Sequence, residues 1–285
     1  MSLLTLPSEL IWYISEQIHT TRDFSAFIQT SRALHQTFKR SLYRLDIERY
    51  GSWALLWAAA RGRTQIVRNS LMERAHTQAD DDSLQAALQV AVDSERRVVV
   101  VLLIHHGADV NGPVGDFSNA LQWACRLASL EMMELLIAYG ADVNGHDQHY
   151  GSALQIAAWA GNKEITKLLL EHGAKVNARG GFLGDALQAA SWGGARRAAK
   201  LLVDHGADVN AQRGYYGTAL QAASWTGDKA IIRLLLRKGA DVDAQGGFFG
   251  NARAAASFGG HRRIEGLLLY WHWRKRLSKS LLTSR

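Results

Sequence analysis

The chain has 285 residues, 47% of them hydrophobic, with two prolines, one cysteine and a formal net charge of +7. That apolar content argues for a folded, helix-rich chain with a sizeable core and against intrinsic disorder. The lone Cys125 excludes an intrachain disulfide framework, so the expected compartment is a reducing one, cytoplasm or nucleus. No apolar run reaches the roughly 18 residues of a membrane span. The start carries Glu9 and Glu16 within its apolar stretch and does not read as a secretory signal.

Residues 1–45 read as a small helical segment. Pro7 suits a first helical position with Glu9 in the first turn, and Leu10, Ile14 and Ile18 make an apolar stripe. Asp23 caps a second helix carrying Phe24, Phe27 and Ile28; a third, after Ser31-Arg32, carries Leu34, Phe38 and Leu42. The opening Leu6-Pro7-x-Glu9-Leu10 with the later Ser-Arg pair resembles an F-box, although Thr30 stands where that family usually has valine. The resemblance implies a three-helix motif that docks on a Skp-type adaptor of cullin–RING ubiquitin ligases. Leu6, Pro7, Leu10, Ile14, Phe24 and Phe27 would then be the adaptor contacts. The same apolar residues also suit a helical cap over the first unit of the array beyond residue 45, and both readings stay open.

Residues 46–270 repeat. Ala-Leu begins at 54, 87, 120, 153, 186 and 219, with Ala-Arg at 252, and Gly-Ala-x-Val begins at 107, 140, 173, 206 and 239. Both markers recur every 33 residues in one register, the signature of a stacked solenoid. Each unit reads as a turn, a short inner helix with a small-residue face, a glycine turn and a longer outer helix. Ala153, Leu154, Ala157 and Ala158 give the inner face of one unit; Ile165 and Leu168 to Leu170 give its outer helix. These residues resemble ankyrin repeats, whose motif is T-P-L-H-x-A at the same period. In this chain Thr218-Ala-Leu-Gln221 replaces Thr-Pro-Leu-His and an aromatic pair precedes it, a variant that resembles ankyrin proteins of filamentous fungi. The resemblance covers about residues 51–270 in seven units. It implies an all-α solenoid of helix-turn-helix units with finger turns. The family histidine is replaced by Gln89, Gln122, Gln155, Gln188 and Gln221, whose amides can still donate and accept.

The units are uneven. The inter-helix glycine, present as Gly62, Gly161, Gly194, Gly227 and Gly260, becomes Glu95 and Ala128, and the first unit reads Asn69-Ser70-Leu71 where leucines recur. The array is therefore expected to be weakest in 51–130 and strongest in 150–260. Residues 271–285 form a basic helix end or tail. From 261 onward seven arginines and lysines face Glu265 alone, so most of the net charge sits there. "HWRKRLSK" (272–279) suits a capping helix with a solvated basic face, and it equally suits a nuclear-import signal.

Enzyme motifs are missing. The glycine turns lack the Gly-Lys-Ser/Thr of a phosphate loop. His106, His172 and His205 each precede a capping glycine, where a helix dipole accounts for them better than a metal. Cys125 occupies an alanine place of an inner helix and reads as a core residue. No cofactor, metal, membrane or nucleic-acid partner is expected. One feature stands apart: Trp159, Trp192, Trp225 and Phe258 lie 33 residues apart on the inner helices, and Tyr150, Phe182, Tyr215, Tyr216, Phe248 and Phe249 lie in the preceding turns. Stacked helices would space the ring positions by roughly 10 Å. In the resembled family this side lines a concave groove, so these ten rings are the expected protein-binding residues; the competing expectation is a ladder of rings packed on one another. The expected function is a non-enzymatic interaction module, with a client protein in the groove and an adaptor at 1–45. The alternative is a nuclear scaffold or co-regulator in which 1–45 is only a cap.

Overall fold

Short inner helices, of seven to nine residues in all but one unit, form because the repeat gives the chain a cap, a small-residue face and a stop. In the computed structural model, residues 43, 46–47, 52–75, 81–113, 119–147, 149–212 and 214–283 are described. The three expected helices of 1–45, and with them Leu6, Pro7, Leu10, Ile14, Phe24 and Phe27, lie outside the described residues, apart from Tyr43. The chain divides into two compact units, Met1–Asp109 and Val110–Arg285.

The first unit holds α1 (Trp53–Arg61), α2 (Thr64–Arg74), α3 (Asp81–Asp93) and α4 (Arg97–His105). Helix α1 packs on α3 and α2 on α4, burying Leu55, Ala58, Ala59, Val67, Leu88, Ala91, Val99 and Leu103. This core has polar intrusions. Asn69, Ser70, Glu73 and Arg74 of α2 are buried, and the Ser70 hydroxyl has no partner among the described residues. The buried Asp46 accepts the Ala54 N–H at 3.0 Å through Oδ2, while its Oδ1 is left without one. Burial, only partly offset by the Ala54 bond, pushes its carboxyl up to about 6.

The second unit holds five further helix pairs among the described residues. They are α5 (Ala120–Arg126) with α6 (Leu130–Ala138), α7 (Ala153–Ala160) with α8 (Lys163–Glu171), and α9 (Ala186–Trp192) with α10 (Arg196–Asp204). Then come α11 (Ala219–Thr226) with α12 (Lys229–Arg237), and α13 (Ala252–Phe258) with α14 (Arg262–Thr283). Inner helices stack α5 on α7, α9, α11 and α13 in turn, and outer helices α8, α10 and α12 stack behind them. The alanines at 157, 158, 189, 190, 222, 223, 255 and 256 are essentially inaccessible, and their small size sets how closely the helices approach. One finger also holds a two-residue hairpin, β1 (His146–Asp147) against β2 (Gly151–Ser152), antiparallel with His146 opposite Ser152. The extended finger there doubles back far enough to pair with itself.

The inner helices start on Asn119, Asp185, Thr218 and Asn251, whose side chains accept the N–H three residues on. Each stop is a left-handed backbone position, and Glu95 and Ala128 adopt it without being glycine, at φ 56° and 58°. The two positions singled out in the sequence thus carry a backbone that disfavours their side chains. Outer helices end on the expected histidines: Nδ1–H of His106, His172 and His205 donates to the carbonyl four residues back at 2.8, 2.9 and 2.8 Å.

Candidate protein-binding surface

The surface is built on a buried amide clasp. Gln188, fully enclosed, accepts the Asp185 N–H at 3.0 Å and donates to the carbonyls of Ala211 (2.9 Å) and Gly217 (2.6 Å) in the next finger. Gln221 likewise accepts from Thr218 at 2.8 Å and donates to Ala244, Gly246 and Gly250. Gln122 and Gln155 reach Gly151 and Gly184 in the same way. In α7, α9 and α11 the amide thus performs both halves of the turn bonding, tying the helix to its own cap and to the following finger.

A second tie runs along the outer edge. Asn111, Asn144, Asn177 and Asn210 each donate from Nδ2 to the Gly carbonyl 29 residues on, at 3.1–3.2 Å. Their Oδ1 atoms accept the N–H of Asp142, Lys175, Asp208 and Asp241 at 2.7–2.9 Å. Only the period of these asparagines signals this role in the sequence.

Clasped this way, the fingertips touch backbone to backbone. Phe182 N–H donates to His149 O at 3.0 Å, Tyr215 to Phe182 at 3.3 Å and Phe248 to Tyr215 at 3.0 Å. Gly214 and Gly247 make the approach possible: a Cβ on Gly247 would lie 2.5 Å from the nitrogen of Gly217.

The rings then form two rows. In the outer row Phe182 stacks on Tyr215 with centroids 5.1 Å apart and Tyr215 on Phe248 at 4.8 Å, all three roughly half exposed. In the inner row each turn ring slots against a helix ring: Tyr216 lies 4.1 Å from Trp192 and Phe249 4.9 Å from Trp225. Trp192 and Trp225 stack at 6.4 Å, and Phe258 tilts onto Phe249 at 5.8 Å. Offset and edge-on contacts of this kind add about 0.5–1.5 kcal/mol each beyond burial.

This arrangement sorts the ten expected rings. Tyr216 and Phe249 are only 9% and 7% exposed, so they pack the ladder from within and offer a partner almost nothing. Burial, with Tyr215 alongside, raises the Tyr216 phenol and keeps it neutral. Trp192 and Trp225 are half-buried, whereas Trp159, Phe258, Tyr150, Phe182, Tyr215 and Phe248 are exposed. The 10 Å ring spacing expected from stacked helices is corrected to 6.4 Å for Trp192 and Trp225, whose rings lie nearly parallel at 9°. The inner row is a ladder of packed rings, and the outer row with Trp159 and Phe258 is open to solvent.

The other candidates resolve simply. Cys125 is buried, donates to Ala153 O at 3.2 Å, and burial pushes its thiol up to about 12. Among the described residues no group of three His, Cys, Asp or Glu is placed to hold a metal, and no helix is long and apolar enough to cross a membrane. The chain has no break at 271; residues 271–283 are the second half of α14. There His272 Nδ1 meets Asp243 Oδ1 at 2.5 Å, and Lys275 donates to Asp241 and Asp243. Burial alone would raise Asp243, but the bonds from His272 and Lys275 outweigh it and hold the carboxyl below its ordinary value.

No curated protein matches the sequence. Residues 113–180 and 183–246 match the family described as ankyrin repeats in three copies. With the 33-residue period, the stacked helix pairs and the clasped fingers, this stretch of the chain is similar to ankyrin repeats, a kind of array that indicates protein partners.

Proposed function

We propose that the protein is a client-binding receptor whose gripping surface is the outer aromatic row with Trp159 and Phe258. The observation that carries this is the exposure of Phe182, Tyr215 and Phe248 despite their rigid placement. Rings held by fingertip bonds lose little conformational entropy on binding, which is what makes aromatic anchors effective. Trp192 and Trp225 contribute their free edges; Tyr216 and Phe249 position them.

Residues 1–45 couple the client to a cullin–RING ubiquitin ligase in this reading, through Leu6, Pro7, Leu10, Ile14, Phe24 and Phe27 on a Skp-type adaptor. The support is the F-box resemblance of the opening "LPSEL". Mixing purified full-length chain with a Skp-type adaptor tests it. A 1:1 complex abolished by Leu10→Ala/Ile14→Ala is expected. No complex, with the chain folded, leaves 1–45 as a cap and the protein as a scaffold.

A further inference from the structure

Solenoid ends need a polar outer face to stay soluble, because an interior repeat's stacking face is apolar. The repeat formed by α13 and α14 presents an apolar face instead. Leu236 of α12 is 4% exposed, whereas Leu269, its counterpart one period later on α14, is 38% exposed. Beyond it, His272-Trp273-Arg274-Lys275 stand where the preceding unit has its Gly239-Ala240-Asp241-Val242 turn, so α14 runs on to Thr283 as a 22-residue helix. Leu269, Tyr270, Trp273 and Leu277 recur at i, i+1, i+4 and i+8 and share one face of that helix. The last three are each more than half exposed.

The borders of the stripe are basic. Arg276 flanks it on one side and Arg274 on the other, and neither has a carboxylate partner among the described residues. Each guanidinium lies over an indole, Arg274 at 5.2 Å from Trp271 and Arg276 at 6.0 Å from Trp273, which holds it in place with N–H edges free. Lys275, by contrast, is committed to Asp241 and Asp243. Those bonds and that of His272 to Asp243 tie residues 272–275 to the preceding turn.

We propose that this face docks an amphipathic helix of a partner protein, apolar along its seam and bordered by Asp or Glu, stacked on α14 where the outer helix of a following repeat would lie. Charge complementarity selects that occupant. A second copy of the chain meeting the same face would set Arg274 and Arg276 against themselves. This site is separate from the aromatic row and does not depend on it.

The test uses the full chain and two labelled synthetic helical peptides with one leucine seam, bordered by glutamate or by lysine. Fluorescence anisotropy is expected to show at least tenfold tighter binding of the glutamate-bordered peptide. Trp273→Ser/Leu277→Ser should weaken it at least tenfold with unchanged circular dichroism, since both residues are exposed, while Phe182→Ser/Phe248→Ser leaves it unaltered. Arg274→Glu/Arg276→Glu should reverse the peptide preference. Equal or absent binding of the two peptides overturns the proposal. So does tighter binding to phosphatidylserine vesicles than to the peptide, or self-association of the chain that Trp273→Ser abolishes.

Discussion

At the residue scale, two side chains occupy positions that others would fill more comfortably. Glu95 and Ala128 are exposed and hold a left-handed backbone that five other units give to glycine. Replacing either by glycine relieves about 1 kcal/mol of strain. Urea denaturation should show a gain of that size for Glu95→Gly and for Ala128→Gly, and a loss for either would contradict the strain argument. Asp185 is a different case. It caps α9 by accepting the Gln188 N–H, yet burial outweighs that bond and raises its carboxyl to about 6, with Asp208 adding to the rise. In the unfolded chain the same group titrates near 3.8. The native state therefore holds the proton more tightly. The resulting stabilisation is complete below the unfolded value and is lost as pH rises through about 6. Asp185→Thr, the residue that Thr218 supplies one repeat later, keeps an acceptor without the charge. Thermal melts should show the variant more stable than wild type at pH 7, by on the order of 2 kcal/mol, with the difference shrinking as pH falls and vanishing only below the unfolded value of 3.8. A constant difference across that range would show that Asp185 titrates as an ordinary surface carboxylate.

At the element scale, the sequence told more about helices than about what joins them. The 33-residue markers located each inner helix from α5 to α13, because cap, small face and stop all repeat. The glutamine clasp was half legible: an amide in the family histidine place announces donors and acceptors, but not that it reaches a carbonyl 29 residues on. Gln188→Leu leaves the Asp185 N–H and the carbonyls of Ala211 and Gly217 buried without it, and should cost about 3 kcal/mol. Guanidinium unfolding measures this, and a cost below about 0.5 kcal/mol would mean the clasp is incidental. The ring interleaving was not legible. Tyr216 meets Trp192 and Phe249 meets Trp225 across a 24-residue offset that belongs to neighbouring units. Periodicity aligns equivalent residues but cannot say which non-equivalent ones interleave. For α14, the pairing of Asp243 with His272 and Lys275 replaces the asparagine tie used earlier in the array. Asp243→Ala should therefore expose amides after residue 271 to faster hydrogen exchange while leaving α12 and α13 protected.

At the scale of the whole molecule, the two compact units differ in how well their cores are made. The first buries Asn69, Ser70, Glu73 and Arg74 along one outer helix, whereas the second stacks alanine faces and uses its buried amides to close fingers; among the described residues unpartnered buried atoms occur in both, on Asp46 and Ser70 in the first and on Asp147 and Ser191 in the second. Hydrogen exchange should find lower protection in 52–109 than in 150–260, and uniform protection would contradict the contrast. The binding claim rests on the division of rings into a packed inner row and an open outer row. Phe182→Ser/Tyr215→Ser/Phe248→Ser removes only exposed rings, so folding should survive. Quantitative affinity purification of full-length wild type against that triple variant, with thermal melts run alongside, tests the division most directly. Loss of the specific co-purifying protein by tenfold or more, at a melting temperature within a few degrees of wild type, is the predicted result. Retention of the same protein at wild-type levels by a folded triple variant would contradict the account.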